Sequence, residues 1–326
     1  MVKRARVTIK DVAKRAGVTP QTVSRAFRDT SDISSSTRDK ILQIAEQMGY
    51  VVNHTASALR RGNTKLIAVV FDNLVNVYFS IMSNYMQKYL KDFGYSMLTI
   101  STESSVLSKE TYISAVSHNV AGIISFLEPK SEISSLIKSY NVPVLLFGRR
   151  TDVKNVYNIY TADETGGELA AKRLIQSGCK RLMFVTETLD LTCAYDRFSG
   201  FKKQTESEGL KTPKLIKYTY NGLKDELIAL GESADVFPDG IFCFNDMIAF
   251  HVLQLIEMLG LPHVKVIGYD NVQNEVYLPT RLTSIATDKK QMAKSAVQII
   301  TAAALGKEIE NPNICKDVFI VNGVTT

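Results

Sequence analysis

The sequence predicts an α/β protein in which a small helix-turn-helix headpiece precedes a larger core of two doubly wound lobes. Two observations predict this division. The first is a pair of short amphipathic helices separated by a tight turn, in the segment TIKDVAKRAGVTPQTVSRAF at residues 8–27. The second is a change in the hydrophobicity pattern at residue 66, after which short apolar strands alternate with amphipathic helices up to the C-terminus.

The first helix is expected over residues 9–16. Its apolar residues recur at the spacing of one helical face: Ile9, Val12, Ala13 and Ala16. Thr8 suits the N-cap, and Asp11 three residues later completes a capping box. Gly17 tolerates the positive φ that ends a helix sharply, so the chain can turn at once into the next element.

The second helix follows within three residues, because Thr19 supplies an N-cap and Pro20 suits the first helical position. Val23, Ala26 and Phe27 give this helix an inward face. The side chains left on its outward face are Pro20, Gln21, Thr22, Arg25 and Arg28. A polar, cationic face of this kind is typical of the recognition helix in a helix-turn-helix.

The outward residues have chemistry that suits DNA. Gln21 offers an amide for adenine, and Arg25 offers a guanidinium for guanine O6 and N7. Thr22 and Ser24 suit phosphate oxygens. Pro20 has no side-chain donor, so it offers only apolar contact, for instance to a thymine methyl group.

Two further helices complete the N-terminal region. Ser34 caps a third helix whose apolar stripe is Ile41, Ile44, Ala45 and Met48 and which Gly49 ends. After it, Asn53 can cap a helix that ends near Leu59. Because isolated helices shorter than about 12–15 residues are marginal in water, this segment should fold only against a partner.

The basic charge is concentrated at the N-terminus. Residues 1–61 contain 12 Lys and Arg against 5 Asp and Glu, whereas the whole chain has a net charge of +6. A basic headpiece on a near-neutral body indicates a protein that binds the phosphate backbone of nucleic acid. The N-terminus lacks a signal-peptide apolar region, and no apolar run approaches the roughly 20 residues of a membrane helix, so a cytoplasmic protein without a membrane partner is expected.

The sequence carries no sign of an enzyme. Cys179, Cys193, Cys243 and Cys315 lack metal or redox spacing, so buried, reduced thiols are expected. No GxSxG, P-loop or HExxH motif is present, and none of the four histidines is spaced as a metal or catalytic pair. The paired glycines of ETGGEL are expected inside a helix rather than in a phosphate loop. We therefore expect no catalytic residues, no metal site and no cofactor.

Beyond residue 66 the pattern predicts parallel sheets. Strands buried on both faces are expected at 66–71, 96–100, 122–127, 142–148, 181–187, 215–220, 240–245 and 264–270, with further strands at 283–287 and 317–321. Helices are expected between them, for example at 80–94, 164–178, 195–209, 246–260 and 289–306. So many strands favour two doubly wound lobes, with a ligand cleft at the carboxyl ends of the strands.

These segments resemble the LacI/GalR family of bacterial transcription regulators. Residues 8–27 match the headpiece motif of that family, and NHTASAL matches its hinge helix. The segments TADETGGELAAKRLIQSG, DRFSGF, FCFNDMIAF and VIGYDN follow in the order and spacing of the family. The resemblance implies a headpiece at 1–52, a hinge at 53–64 and a two-lobed core at 65–326 that is similar to periplasmic binding proteins. The N-lobe would comprise about 65–161 and 289–312, and the C-lobe about 162–288 and 313–326.

The resemblance also implies a homodimer on operator DNA. The paired hinge helices would enter the minor groove, where Leu59 wedges between base steps and Ala56 allows close approach. His54 is expected to contact a phosphate or to lie on the plain surface. The residues expected at the DNA are Thr8, Pro20, Gln21, Thr22, Ser24, Arg25, Arg28, Asn53, His54, Ala56 and Leu59.

In the core, the resemblance implies that Arg197, Asn245 and Asp270 contact a small-molecule effector, with Arg149 as a fourth candidate. An arginine, an amide and a carboxylate that converge suit a hydroxyl-rich ligand such as a sugar. The other expected contacts are Phe71, Asp72, Phe79, Phe126 and Phe147. For each phenylalanine, packing in the core is an open alternative, and Asp246 is expected either to bind ligand or to cap the helix that follows it.

The expected function is therefore a sequence-specific repressor whose operator affinity is controlled by a small effector. One alternative is a regulator that answers to a protein partner or has no effector. Another is a solute-binding protein, which would explain the two lobes but not the headpiece. An enzyme fits the sequence least.

Overall fold

The computed structural model describes residues 7–27, 33–51, 64–72, 75–231, 237–278 and 280–326. The chain divides after Thr64 into two compact units. The first is helical and the second is α/β, and each has its own buried core. The predicted fold class is confirmed.

The helical unit contains α1 (Ile9–Ala16), α2 (Pro20–Ala26) and α3 (Ser35–Gln47). These helices pack around a small core of Val12, Ala13, Val23, Ala26, Ile41 and Ala45. Gly17 has a φ of 68°, which ends α1 as predicted. The Thr19 hydroxyl accepts a hydrogen bond from the backbone N–H of Thr22, so the predicted cap of the recognition helix is formed.

The α/β unit alternates strands and helices. Its strands are β1 (Leu66–Phe71), β2 (Ser96–Ser101), β3 (Val106–Leu107), β4 (Gly122–Ser125), β5 (Glu128–Pro129), β6 (Val144–Phe147), β7 (Val156–Thr161), β8 (Leu182–Thr186), β9 (Lys214–Lys217), β10 (Gly240–Cys243), β11 (Lys265–Tyr269), β12 (Thr283–Ala286), β13 (Asn313–Lys316) and β14 (Phe319–Val321). Its helices are α4 (Val77–Asp92), α5 (Lys109–Ser117), α6 (Ile133–Tyr140), α7 (Asp163–Gln176), α8 (Thr192–Ser207), α9 (Leu223–Gly231), α10 (Asp246–Met258) and α11 (Lys289–Ala304), with a 3-10 helix at Val272–Asn274.

Twelve of these strands form one six-stranded sheet in each lobe, and β3 pairs with β5 in a separate two-stranded sheet. The N-lobe sheet has the order β13-β7-β6-β4-β1-β2, and all its pairs are parallel. The C-lobe sheet has the order β14-β12-β11-β10-β8-β9, in which only β14 is antiparallel. In both lobes the central strands are buried on both faces, because helices cover the two sides of each sheet. The edge strands β2 and β9 are partly exposed, contrary to the prediction.

The sequence analysis missed β7 and β13, and β13 changes the expected lobe boundary. The apolar run of β7 is interrupted by Tyr157, Asn158 and Tyr160, so its sequence lacks the continuous hydrophobic pattern of a buried strand. β13 pairs with β7 in the N-lobe, so the chain returns to the C-lobe after Lys316 rather than at residue 313. Because β13 is an edge strand, Cys315 is exposed, whereas the other three cysteines are buried as predicted.

None of the described helices is long and apolar enough to cross a membrane. Within the same described ranges, no cluster of three or more His, Cys, Asp and Glu residues is arranged to hold a metal ion.

Candidate functional site

The recognition helix α2 presents its predicted face to solvent. Pro20, Gln21 and Arg25 are exposed, and the side chains of Gln21 and Arg25 make no hydrogen bond or ion pair with another described residue. Thr22 and Ser24 are half-buried, and the hydroxyl of Thr22 lies 2.9 Å from that of Thr19. Gln21 and Arg25 therefore keep their donors available for an external partner.

The remaining predicted DNA contacts are not all on α2. Thr8 is exposed at the start of α1, where its hydroxyl and its backbone N–H both donate to the Asp11 carboxylate, at 2.6 and 2.8 Å. This arrangement fixes the first turn of α1, as the capping prediction required. Arg28, Asn53, His54, Ala56 and Leu59 lie outside the described residues.

A cavity of about 600 Å³ separates the two lobes of the core. The predicted contacts that line it are Asp72, Phe79, Phe126, Phe147, Arg149, Arg197, Asn245 and Asp270. They come from the carboxyl ends of strands in both sheets and from the first turns of the helices that follow. The cavity thus lies at the predicted edge of the sheets.

Arg197 is buried in the C-lobe wall of this cavity. Its Nε donates to Asp163 Oδ1 at 2.8 Å, and its Nη1 donates to the carbonyl oxygen of Phe244 at 2.6 Å. The guanidinium carbon lies 3.4 Å from the centroid of the Tyr269 ring. Burial raises the pKa of Asp163, and the charge of Arg197 acts in the opposite direction. Arg197 is therefore held rigidly by the protein itself.

Glycines in α7 and α8 make this arrangement possible. A Cβ atom on Gly167 would overlap the carbonyl oxygen of Arg197, and one on Gly200 would overlap that of Glu164. A Cβ atom on Gly166 would come within 2.7 Å of the Tyr269 ring. The paired glycines of ETGGEL thus lie inside a helix, as predicted, and allow α7 and α8 to pack backbone against backbone. This close packing places Arg197 beside Asp163.

Asp270 follows β11 in a conformation that L-residues rarely adopt, with a φ of 98°. Lys289 Nζ stabilises the turn by donating to the carbonyl oxygens of Asp270 and Asn271, at 2.7 and 3.0 Å. Burial raises the pKa of the Asp270 carboxyl to about 7, although Arg197 and Lys289 lower it. A carboxyl group with such a pKa can both accept and donate hydrogen bonds near neutral pH.

The structure decides between Asn245 and Asp246 as the cap of α10. Asn245 Oδ1 accepts a hydrogen bond from the backbone N–H of Ile248 at 2.9 Å, so Asn245 is the cap. Asp246 is fully buried and accepts from Ser284 Oγ at 2.6 Å and from the backbone N–H of Val272 at 2.8 Å. The expectation that Asp246 caps α10 is therefore wrong, because its carboxylate ties α10 to β12 and to the turn after β11. The Asn245 amide nitrogen has no partner among the described residues and faces the cavity.

The N-lobe wall is aromatic. Phe126 contacts Phe71, Phe79 and Phe147, with ring centroids 4.7, 5.2 and 4.8 Å apart. Phe79, Phe126 and Phe147 line the cavity, whereas Phe71 is fully buried behind Phe126 and does not. Phe71 therefore takes the core position that the sequence analysis left open for each phenylalanine, because its ring belongs to the N-lobe core. Arg149 is a buried residue of the cavity lining, where its guanidinium lies 3.9 Å from Asp72 and donates to the carbonyl oxygen of Ser105 at 3.3 Å.

Contacts between the lobes hold the cavity walls together. Arg150 forms a bidentate ion pair with Asp196 on α8, with both N–O distances at 2.8 Å. Glu128 accepts from the backbone N–H and the hydroxyl of Thr192, at 2.9 and 3.1 Å. Thr192 and Asp196 occupy the first two turns of the helix that carries Arg197. We call these two contacts the α8 latch.

The sequence analysis missed several residues that line the cavity or position its lining residues. Asp163, Tyr269 and Lys289 position Arg197 and Asp270, and Tyr78 lines the N-lobe wall. Burial and the nearby charge of Asp270 raise the pKa of Tyr78, since an anionic phenolate would be unfavourable there. Asp163 and Tyr269 lie inside TADETGG and VIGYDN, so the motifs themselves contained the signal.

Comparison with known families gives two matches along the chain. A family model described as bacterial regulatory proteins, lacI family, matches residues 8–53. A second, described as a periplasmic binding protein-like domain, matches residues 171–322, which include Arg197, Asn245 and Asp270. The chain belongs to the LacI/GalR family. As a LacI/GalR protein it is a DNA-binding transcription regulator and not an enzyme.

Known repressors are similar to this chain over nearly its whole length. An HTH-type transcriptional repressor PurR from Aliivibrio salmonicida is 27% identical over 303 residues, which cover 90% of this chain and 91% of the relative. A crystal structure of the lac repressor dimer bound to operator and the anti-inducer ONPF has a TM-score of 0.82 at 21% identity, and covers 98% of this chain and 99% of that chain. A LacI family regulator from Enterococcus faecium with bound ribose has a TM-score of 0.71 at 20% identity, and covers 80% and 98%. The fold of this LacI/GalR chain is therefore that of these proteins.

Proposed function

We propose that this chain is a homodimeric repressor that acts in the cytoplasm, where its headpieces bind a pseudo-palindromic operator and its core cleft binds a small effector. The observation that carries the proposal is the pairing of an exposed recognition face on α2 with a separate cavity in which Arg197, Asn245 and Asp270 converge. The first suits a polyanion, and the second suits a small polar ligand.

For DNA, we propose that Gln21 and Arg25 read base edges and that Thr8, Thr22, Ser24 and Arg28 contact phosphates, while Pro20 offers apolar contact. The proposed headpiece spans 1–52 and the hinge 53–64. In the hinge we assign Leu59 as the minor-groove wedge, Ala56 as the close-approach residue, and Asn53 and His54 as neighbours of the backbone. A hinge segment too short to fold alone supports a dimer, because the second copy supplies the partner helix.

For the effector, we propose an uncharged, hydroxyl-rich molecule of the sugar type. Asp270 can accept or donate, Asn245 retains a free amide donor, and the rings of Phe79, Phe126 and Phe147 offer an apolar face for C–H groups. Asp72 and Arg149 add polar groups at the rim. The ribose bound to the Enterococcus faecium relative agrees with this chemical class.

The proposal is tested by selecting binding sites from random duplexes with the full chain and then measuring mass in sedimentation. We expect a two-fold symmetric consensus and a complex of two chains with one duplex. An asymmetric consensus, or a monomer at micromolar concentration both free and on DNA, would refute the dimeric repressor. Selection of no sequence at all would favour a solute-binding protein.

A further inference from the structure

A second group of contacts joins the two lobes of the core. Glu275 follows the 3-10 helix of the C-lobe, and its carboxylate lies between two helices of the N-lobe. Its Oε1 accepts a hydrogen bond from the Tyr85 hydroxyl on α4 at 3.2 Å, and its Oε2 forms an ion pair with Lys289 Nζ at the start of α11, also at 3.2 Å. We call these two contacts the Glu275 bridge. Helices α4 and α11 cover one face of the N-lobe sheet, whereas the β3–β5 sheet, which supplies Glu128 to the α8 latch, packs on the other.

Lys289 fixes the Glu275 bridge to the effector side of the C-lobe. Only 4% of Lys289 is exposed, and its ammonium group also donates to the carbonyl oxygens of Asp270 and Asn271, at 2.7 and 3.0 Å. Removing the ionic partner of a buried charge is strongly destabilising, so Lys289 should keep Glu275 beside it. The turn that presents Asp270 to the cleft therefore forms one bonded unit with Lys289 and Glu275.

The weaker half of the bridge is its contact with α4. The Tyr85 hydroxyl is a single neutral donor, and Glu275 is its hydrogen-bond partner among the described residues. Burial and the negative charge of Glu275 raise the pKa of Tyr85, so the hydroxyl keeps its proton and continues to donate. Because this bond is already long for an O–H···O pair, a displacement of the turn by roughly half an ångström would break it. The Tyr85 contact is thus the part of the bridge that opens when the cleft changes shape.

Helix α4 connects the Glu275 bridge with the start of the α/β unit. The helix ends roughly 10 Å along its axis from Tyr85, given the rise of an α-helix. Tyr95 follows the end of α4, and the Lys65 ammonium group lies 4.8 Å from the centroid of its ring. Lys65 is the first residue of the α/β unit and comes directly after the proposed hinge at 53–64. The elements between the bridge and the end of the hinge are therefore one helix and one ring contact.

We propose that Glu275 is a positioning residue for effector control, because its contact with Tyr85 makes the position of α4 depend on the turn that carries Asp270. The inference rests on the proposed function, which makes the cleft the effector site and the headpiece the DNA site. An effector that displaces the turn would break the contact with α4, and an operator that fixes the start of the core would change the stability of the turn. The α8 latch is less suited to this role, since Arg150 is exposed and its ion pair is accordingly weak.

The test is hydrogen exchange of the full chain, measured by mass spectrometry with and without the operator duplex selected as described above. Peptides that cover residues 271–276 report the opening of the turn, because four of their backbone N–H groups are hydrogen-bonded there: those of Asn271, Val272, Glu275 and Val276. We expect the operator to change their exchange by about fivefold, at the lower end of the range for coupled sites. Tyr85→Phe should still bind the operator but should abolish that change.

The matched control is Tyr89→Phe, one turn further along α4, because the Tyr89 hydroxyl makes no hydrogen bond with another described residue. This chain should respond to the operator as the wild type does. Glu275→Ala removes the Tyr85 hydrogen bond from its other end and should also lose the response. It should in addition speed exchange of the turn in the free chain, since Lys289 then lacks its ionic partner. The double variant Tyr85→Phe with Glu275→Ala should lose no more of the response than Tyr85→Phe alone, because both substitutions remove the same bond.

A wild-type chain that binds the operator without any change at residues 271–276 would overturn the role of the Glu275 bridge and leave the repressor standing. A Tyr85→Phe chain that responds like the wild type, or a Tyr89→Phe chain that loses the response as well, would overturn the Tyr85 contact. If Tyr85→Phe does not fold, an unchanged response in Glu275→Ala would overturn it instead. A wild-type chain that selects no operator would overturn the proposed function itself.

Discussion

The recognition face of α2 and the inner cleft of the core use similar side chains in opposite ways. Arg25 is exposed, and its side chain has no partner among the described residues, whereas Arg197 is buried and bonded to Asp163 and Phe244. An arginine that awaits a polyanion must keep its donors free. One that shapes a small cavity must be fixed before the ligand arrives, since ordering it later would reduce affinity. Arginine is thus free to contact DNA on α2, whereas in the cleft it forms a fixed part of the cavity lining.

The largest expected effect follows from removing the partner of the buried arginine. Asp163→Ala leaves Arg197 as an uncompensated buried charge, which should lower the free energy of unfolding by about 3–5 kcal/mol. Thermal and urea denaturation followed by circular dichroism would measure this change. The double variant Asp163→Leu with Arg197→Leu should recover much of the loss, because no charge is then left unpaired. Equal losses in single and double variants would show that packing, not charge, explains the effect.

Arg25→Ala should change DNA affinity and leave stability nearly unchanged, which is the reverse of the effect expected for Asp163→Ala. Its stability should lie within about 0.5 kcal/mol of the wild type, because the side chain is exposed. Its affinity for the selected operator should fall by about 1–3 kcal/mol, with relaxed preference at one position of each half-site. The exposed Lys10 gives the matched variant, since Lys10→Ala should weaken binding to all duplexes alike. If gel shifts show Arg25→Ala losing equally on specific and random DNA, the assignment of Arg25 as a base reader fails.

The Asp270 carboxyl in the cleft makes the free energy of unfolding depend on pH. The recognition face should make no such contribution. In the unfolded chain this carboxyl loses its proton near pH 3.8, whereas in the folded core it keeps it up to about pH 7. Between those values the folded state binds more protons, so this group makes the free energy of unfolding fall as pH rises, by at most about 1.4 kcal/mol per pH unit. Asp270→Asn should therefore gain stability relative to the wild type from pH 4 to 7. Parallel stability curves for the two chains would contradict the raised pKa.

The smallest expected effect concerns the α8 latch. Its ion pair is partly exposed, with Arg150 54% and Asp196 18% accessible, so it should contribute only about 0.2–1 kcal/mol. Arg150→Glu should therefore speed hydrogen exchange at the first turn of α8 by the small factor that this energy allows. Adding Asp196→Lys should restore the wild-type exchange rate. Lys203→Glu, which breaks the ion pairs of Lys203 with Glu164 and Glu168 within the C-lobe, should leave that turn unchanged. Failure of the charge swap to restore protection would mean that the latch does not act through charge.

The two regions also differ in how far the sequence alone could describe them. The headpiece was predictable because its signals are local: the caps at Thr8 and Thr19 and the turn at Gly17 are set by residues a few positions apart. The cleft depends on contacts between distant segments. The Asp163–Arg197 pair joins residues that are 34 apart, and Lys289 stabilises the turn at Asp270 from the start of another helix.

The positions of Phe71 and Asp246 show the same dependence on distant segments. Phe71 ends the apolar strand β1 and Phe126 directly follows the apolar strand β4, yet only Phe126 lines the cavity. Asp246 has the sequence of a helix cap, yet Ser284 on a distant strand binds its carboxylate and leaves the capping to Asn245. Family motifs supplied Arg197, Asn245 and Asp270, whereas the contacts of Asp163 and Tyr269 with Arg197, and of Lys289 with the turn at Asp270, form only in the folded core.

Coupling between DNA and effector is the central claim, and reciprocal titration tests it most directly. Operator affinity would be measured by fluorescence anisotropy with and without a sugar that binds the full chain in calorimetry, and the affinity for that sugar with and without operator. The two ratios should be equal and correspond to about 1–3 kcal/mol, because binding at two linked sites is reciprocal. Asp270→Ala should abolish the response while sugar-free operator binding stays near wild type, and Leu59→Ala, outside the described residues, should weaken operator binding alone. Ratios of one in both directions, or an unaltered response in Asp270→Ala, would contradict control of the operator by this cleft.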